Sequence, residues 1–212
     1  MHSFGSEETI IRVSLPPMLG LSIFDLVRDF KKAAPEMTVK HRDMTSLEAR
    51  KMLDQEQIDI LIASGFNTDF ENCTTYRLGA RQVYFCVNED HPLAKEKSVT
   101  VEQIADEPVI MFPNDFYVRR IVTEHFQQAG LTPNVICEFY QLTSHIRAVK
   151  SQGLCSFLFP DVLQNQQGIV GIPFDPPISV NIEMVWRKNS WKQKGVRQFI
   201  EFTKQYVKEN IQ

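Results

Sequence analysis

The chain has 212 residues, 43% of them hydrophobic and 23% charged, the balance of a folded globular protein rather than a disordered one. That length is long for one domain and short for two independent ones. A formal net charge of −3 excludes a protein whose main surface is built to grip a phosphate backbone.

Met1–Glu8 is polar and acidic, with no apolar stretch behind a basic start, so no export signal is read there. Apolar runs such as Val83 to Val87 and Ser156 to Pro160 fall far short of the ~20 residues that span a bilayer. A cytoplasmic chain is the expectation. Cys73, Cys86, Cys137 and Cys155 are scattered without a CxxC pair, which suits free thiols in a reducing compartment. Most simply they are small buried hydrophobes; a redox pair between Cys137 and Cys155 is the sharper alternative.

Ile10 to Leu15 is a β-rich run stopped by Pro16-Pro17. Leu19, Ile23, Leu26, Val27 and Phe30 then form a helical stripe that ends before Pro35. Met37 to Arg42 reads as extended, and Ser46 can cap a second helix carrying Ala49, Met52 and Leu53. Ile58 to Ala63 is a strongly apolar strand closed by Ser64-Gly65. This alternation argues for a parallel sheet with helices on its faces.

The second stretch repeats the theme. It starts with a long strand at Arg81 to Asn88, a turn at Asp90 to Ala94 and a short amphipathic segment at Val99 to Ala105. Val109 to Phe112 is a strand stopped by Pro113-Asn114. The following helix carries Val118, Ile121, Val122, His125, Phe126 and Ala129, with Gly130 where a helix C-terminus wants a cap. Val135 to Phe139, a helix near Ser144 to Ser151, and Cys155 to Phe159 follow. Val180 to Arg187 alternates with period two, and a last helix carries Val196, Phe199, Ile200 and Val207.

Six segments together resemble the effector-binding domain of LysR-type transcription regulators. They are Ile11-Arg-Val-Ser-Leu-Pro-Pro17, Phe30 to Pro35, Gln57-Ile-Asp-Ile-Leu-Ile62, His91-Pro-Leu-Ala94, Gly153-Leu-Cys-Ser-Phe-Leu-Phe-Pro160 and Val185-Trp-Arg187. Each is weak alone, but they run in family order from about Ile10 to about Phe202. Ser14 and Cys155 stand where that pattern has glycines.

The resemblance implies an α/β, periplasmic-binding-protein-like fold of type 2, with two Rossmann-like lobes joined by two crossover strands and an effector cleft between them. The expected division is a flexible tail at 1–9, lobe I at 10–82 plus 188–212, and lobe II at 83–187. It also implies side-by-side homodimers, with the first helix and Met37–Arg42 as a contact edge. DNA would be bound only through an N-terminal helix-turn-helix that this sequence does not contain.

In open parallel sheets, ligands sit beyond the carboxyl ends of the strands, near helix N-termini. That rule selects Pro17, Met18, Thr45, Ser46 and Ser64 in the first lobe. In the second it selects Pro113, Asn114, Phe116, Thr143 and Ser144. Hydroxyls, helix-end N–H groups and aromatic walls suit a small carboxylate or similar polar metabolite, with Arg119 or Arg147 as a candidate cation. Thr45-Ser46 and Thr143-Ser144 are equally ordinary helix caps.

No GxSxG elbow, Walker loop, GxGxxG or HExxH spacing occurs, and the five histidines lie far apart, so no catalytic residue, cofactor or metal is expected. The leading expectation is a small-molecule sensor domain of a transcription regulator. A transport-type solute-binding protein on the same fold is the alternative, ahead of a cleft enzyme.

Overall fold

The computed structural model describes residues 9–15, 17–64 and 72–210, with residues 17, 20–23, 46 and 210 described by backbone alone. Pro16 and Gly65, and residues 1–8 of the expected tail, lie outside the described residues. The chain divides into two compact units, Met1–Gly79 with Ile182–Gln212, and Ala80–Asn181.

Unit 1 is built on a five-stranded sheet in the order β2-β1-β3-β10-β4. β1 (Thr9–Leu15) pairs in parallel with β2 (Met37–Asp43) along its whole length and with β3 (Ile60–Ser64) at Val13 and Ser14. β3 is buried at all five positions, which is why Ile60 to Ser64 shows no polar alternation. β10 (Ser179–Arg187) returns antiparallel to β3, with Glu183 opposite Ala63. β4 (Cys73–Gln82) and β10 carry the chain between the units.

α1 (Gly20–Ala33) and α6 (Lys194–Asn210) meet where Phe30 packs edge-on against Phe199, ring centroids 5.0 Å apart. α2 (Ser46–Asp54) lays Ala49 and Leu53 on Leu61, Ala63 and Val185. Two helix layers thus exclude water from the central strands, the main stabilising step in any such fold.

Unit 2 centres on β5 (Tyr84–Asn88), flanked by antiparallel β8 (Ser156–Leu158) and β9 (Ile169–Pro173). Beside it, β6 (Val109–Met111) pairs in parallel with β7 (Val135–Glu138). α3 (Tyr117–Gln128), α4 (Leu142–Ser151) and the short α5 (Pro160–Leu163) complete it. Val118, Val122 and Phe126 are the buried stripe of α3, and Gly130 takes a φ of +72°, the left-handed stop its position asks for.

Three features add to or correct the sequence reading. The strand expected at Arg81 to Asn88 is two strands broken at Val83, whose N–H turns to the carbonyl of Ile178 at 2.8 Å. Val99 to Ala105 is amphipathic, with Val99 and Ile104 buried and Glu102 and Gln103 exposed, and its conformation is a run of turns with one bridge, Val99 to Phe174. β9 was not anticipated, because Ile169-Val-Gly-Ile-Pro173 is short and carries Gly and Pro.

Candidate strand-end rims in the two units

In unit 1 the parallel strands β1, β2 and β3 end together, and their ends carry the expected residues. Met18, Thr45 and Ser64 are all buried, while Pro17 opens a single 3-10 turn that leads into α1. Thr45, not Ser46, is the N-cap of α2: its hydroxyl accepts the N–H of Glu48 at 3.3 Å. Ser46 is the first helical residue, and its side chain and that of Pro17 lie outside what is described.

Two polar groups beside this rim were not singled out for a site. Among the described residues the hydroxyl of Ser14, fully buried, has no hydrogen-bond partner, and neither does the buried Oε2 of Glu183. Burial pushes the Glu183 carboxyl above the ordinary carboxylate range, with Arg77 acting in the opposite sense. An unmatched buried polar atom costs about 1–3 kcal/mol, so such groups stand out among otherwise satisfied neighbours.

In unit 2 the rim is aromatic. After β6 the chain runs through Phe112, Pro113, exposed Asn114 and Asp115 to Phe116, which is the N-cap of α3. Phe116 stacks on Phe112 with ring centroids 4.7 Å apart and meets the edge of Tyr140 at 5.7 Å. On its other side Phe112 stacks on His145 at 3.9 Å. His145 is fully buried; its Nε2 donates to the carbonyl of Phe139 at 3.0 Å and its Nδ1 accepts from the Ser156 hydroxyl at 2.8 Å. Burial holds this ring neutral, with a pKa lowered to about 4, despite the Phe139 carbonyl.

The N-cap residues of α3 and α4, Phe116 and Gln141, make no side-chain capping hydrogen bond among the described residues. Thr143 and Ser144 therefore do not cap: they lie inside the first turn of α4, behind Gln141, with Thr143 exposed and Ser144 half-buried. Of the two candidate cations, Arg147 is exposed. Arg119 is largely buried, its Nη1 ion-paired with a carboxylate oxygen of Glu138 at 3.3 Å and its Nε without a hydrogen-bond partner among the described residues. The buried Oδ1 of Asp115 also lacks one. Arg119 thus brings a largely buried guanidinium, paired on one side with Glu138, to an aromatic rim with helix N–H groups that no N-cap side chain holds.

All four cysteines are free thiols, so the alternative Cys137–Cys155 pair is not formed. Burial raises the Cys86 and Cys155 thiols to about 12, with the charge of Glu107 adding to the effect at Cys155. No helix among the described residues is long and apolar enough to cross a membrane.

Comparison with known proteins gives one family. The curated relatives include HTH-type transcriptional regulator YwbI of Bacillus subtilis (strain 168), 28% identical over 93% of this chain and 66% of its own length. Transcriptional dual regulator GltC of the same organism is 23% identical over 92% of this chain and 67% of its own. The chain therefore spans about two thirds of these regulators, and 53% of YybE.

Among solved structures, the effector binding domain of QuiR in complex with shikimate superposes with a TM-score of 0.86 at 18% identity, covering 97% of this chain and all of that one. The Synechocystis PCC6803 CcmR regulatory domain in complex with 2-PG gives 0.87 at 16% identity, covering 96% of this chain and 99% of its own. These likenesses fix the fold as periplasmic-binding-protein-like type 2. The description "LysR substrate binding domain" matches residues 5–208, and the chain belongs to that family, the effector-binding domain of LysR-type regulators.

Proposed function

We propose that this domain senses a small carboxylate metabolite for a homodimeric regulator in the cytoplasm, whose DNA contacts come from a helix-turn-helix domain of the whole protein. The two strand-end rims are the effector-contacting surfaces: Pro17, Met18, Thr45, Ser46 and Ser64 in unit 1, and Pro113, Asn114, Phe116, Thr143 and Ser144 in unit 2. The observation that carries the reading is the unit 2 rim, where two helix N-termini without a side-chain cap meet a stacked aromatic wall and a largely buried guanidinium, ion-paired to Glu138 through Nη1 and with no hydrogen-bond partner at Nε among the described residues. Helix N–H groups and a cation favour an anion, and aromatic faces favour a flat or apolar body.

An effector acts on DNA binding only by preferring one of two arrangements of the protein. That preference requires it to bind first. Isothermal titration and thermal shift against a panel of small carboxylates, with shikimate and 2-PG as starting probes, test the proposal. A ligand that raises the melting temperature of the wild-type domain and loses affinity in Phe116→Ala and Arg119→Gln supports it. A bound carboxylate indifferent to both substitutions removes the unit 2 rim from the site.

A further inference from the structure

The sequence contains no metal-ligand spacing, but the fold assembles a donor set from three distant segments of unit 2. His91 begins the turn after β5, Glu107 precedes β6, and Cys155 precedes β8. His91 Nε2 lies 3.3 Å from a carboxylate oxygen of Glu107 and 3.9 Å from the sulfur of Cys155. All three ligand atoms fall within 4.8 Å of one another. Cys155 is buried, while the side chains of His91 and Glu107 keep 16% and 29% of their exposure, which leaves the cluster open to solvent on one side.

We propose that His91, Glu107 and Cys155 form a site for a divalent, borderline-soft transition-metal ion, zinc foremost, with water in the fourth position. Zinc takes nitrogen, oxygen and sulfur ligands tetrahedrally, and its bond lengths place nitrogen and oxygen about 3.3 Å apart and nitrogen and sulfur about 3.5 Å apart. The His91–Glu107 distance already has the first value, and the sulfur needs to approach by about 0.4 Å to reach the second. The donor mixture of thiolate, imidazole and carboxylate disfavours magnesium and calcium, which seek oxygen alone.

Charge and protons balance simply. Without metal, His91 Nδ1 accepts the N–H of Leu93 at 3.2 Å, so the ring proton sits on Nε2, facing Glu107. On binding, Cys155 gives its thiol proton to water and becomes a thiolate. The imidazole stays neutral, its proton now on Nδ1, and the Leu93 N–H gives up its acceptor. A dication held by one thiolate and one carboxylate is a neutral site, which suits its partial burial. One proton is released per ion bound. The ion would tie together the segments before β6 and β8 and the turn after β5, and so stabilise unit 2 by mass action.

Cobalt titration of the reduced protein tests this, because a tetrahedral cobalt–thiolate site absorbs in the near ultraviolet and the visible. The expected result is both bands saturating at one equivalent, full displacement by zinc, and a rise in melting temperature with zinc. Cys155→Ser should abolish the near-ultraviolet band and weaken zinc binding by about 30-fold or more, as loss of the only thiolate demands. Glu107→Gln should weaken it by about tenfold or more. The Leu93 amide resonance should shift with the bands. Unchanged far-ultraviolet circular dichroism of both variants shows that they fold. Absence of the bands overturns the site, as does a thiolate band that persists in Cys155→Ser, which would come from Cys73 or Cys137. Zinc affinity unchanged in Glu107→Gln overturns the three-ligand set.

Discussion

His145 lies flat against Phe112, ring centroids 3.9 Å apart and planes 18° from parallel, in a fully buried position. The pair joins the first turn of α4 to the end of β6, so the imidazole is part of the wall behind Phe116. Its pKa of about 4 in the fold lies below the ordinary 6.5, so the unfolded chain binds the proton first as pH falls. Stability is complete above about pH 6.5 and is lost progressively down to about pH 4, by roughly 3 kcal/mol at most. Urea unfolding at pH 7 and pH 4.5 measures this. His145→Gln should be less stable at pH 7 but should lose most of the difference between the two pH values. An unchanged difference would place the titration elsewhere.

His145 also shows where sequence reading stops. The strands and helices of unit 1 were legible because burial imposes a period: β3 is apolar throughout, and α1 has its stripe. The aromatic wall was half legible. Phe116 follows a strand and precedes a striped helix, which marks a rim. His145 hides behind Thr143 and Ser144, whose hydroxyls look like caps, and only the true start of α4 at Leu142 turns it inward. Ser14 and Glu183 alternate within strands like any half-buried residue, so nothing in that alternation reveals that they lack partners among the described residues. Long-range packing decides those features, and a one-dimensional pattern does not contain it.

Arg12 and Asp59 close the open end of the β1–β3 ladder. The Asp59 N–H bonds the Arg12 carbonyl at 2.8 Å, and its carboxylate accepts the Arg12 N–H at 2.8 Å, as a backbone carbonyl would. The same carboxylate takes the guanidinium in a fork, at 3.1 and 2.7 Å. Asp59 is buried, but the Arg12 side chain is 43% exposed, so the ion pair itself is worth little. Asp59→Ala should therefore cost about 2–3 kcal/mol, from the orphaned N–H and the lost charge-assisted bonds. Arg12→Ala should cost less than half of that. Equal losses in urea melts would show that the ion pair, not the ladder closure, dominates.

Thr45 is both a helix cap and a rim residue, and stability separates the two roles. Its hydroxyl holds the Glu48 N–H, so Thr45→Ala should cost about 1 kcal/mol, whereas Thr45→Ser and Thr45→Asp keep a capping oxygen and should cost little. If Thr45 also contacts the effector, Thr45→Asp should lose affinity for a carboxylate while remaining stable, because it puts a negative charge at the rim. Thermal melts with and without ligand read both effects. Full carboxylate affinity in Thr45→Asp would reduce the residue to a cap.

Gly171 in β9 is set by space rather than by backbone conformation. Its φ lies outside the left-handed region, yet a Cβ there would sit 2.3 Å from Leu163 Cδ1 and 3.0 Å from Tyr84 Cδ2. Leu163 ends α5, and Tyr84 starts β5 two residues from Cys86, the partner of Gly171. Gly171→Ala gains a few tenths to 1 kcal/mol from a stiffer unfolded chain. It loses about 1–3 kcal/mol to overpacking, so the net effect is destabilising. The nearer obstacle is a leucine methyl, which can be removed. In a double-mutant cycle, Leu163→Ala should relieve part of the clash, giving a favourable coupling of about 0.5–2 kcal/mol between the two substitutions. Additive losses would mean that the Tyr84 ring, rather than Leu163, sets the limit on this strand.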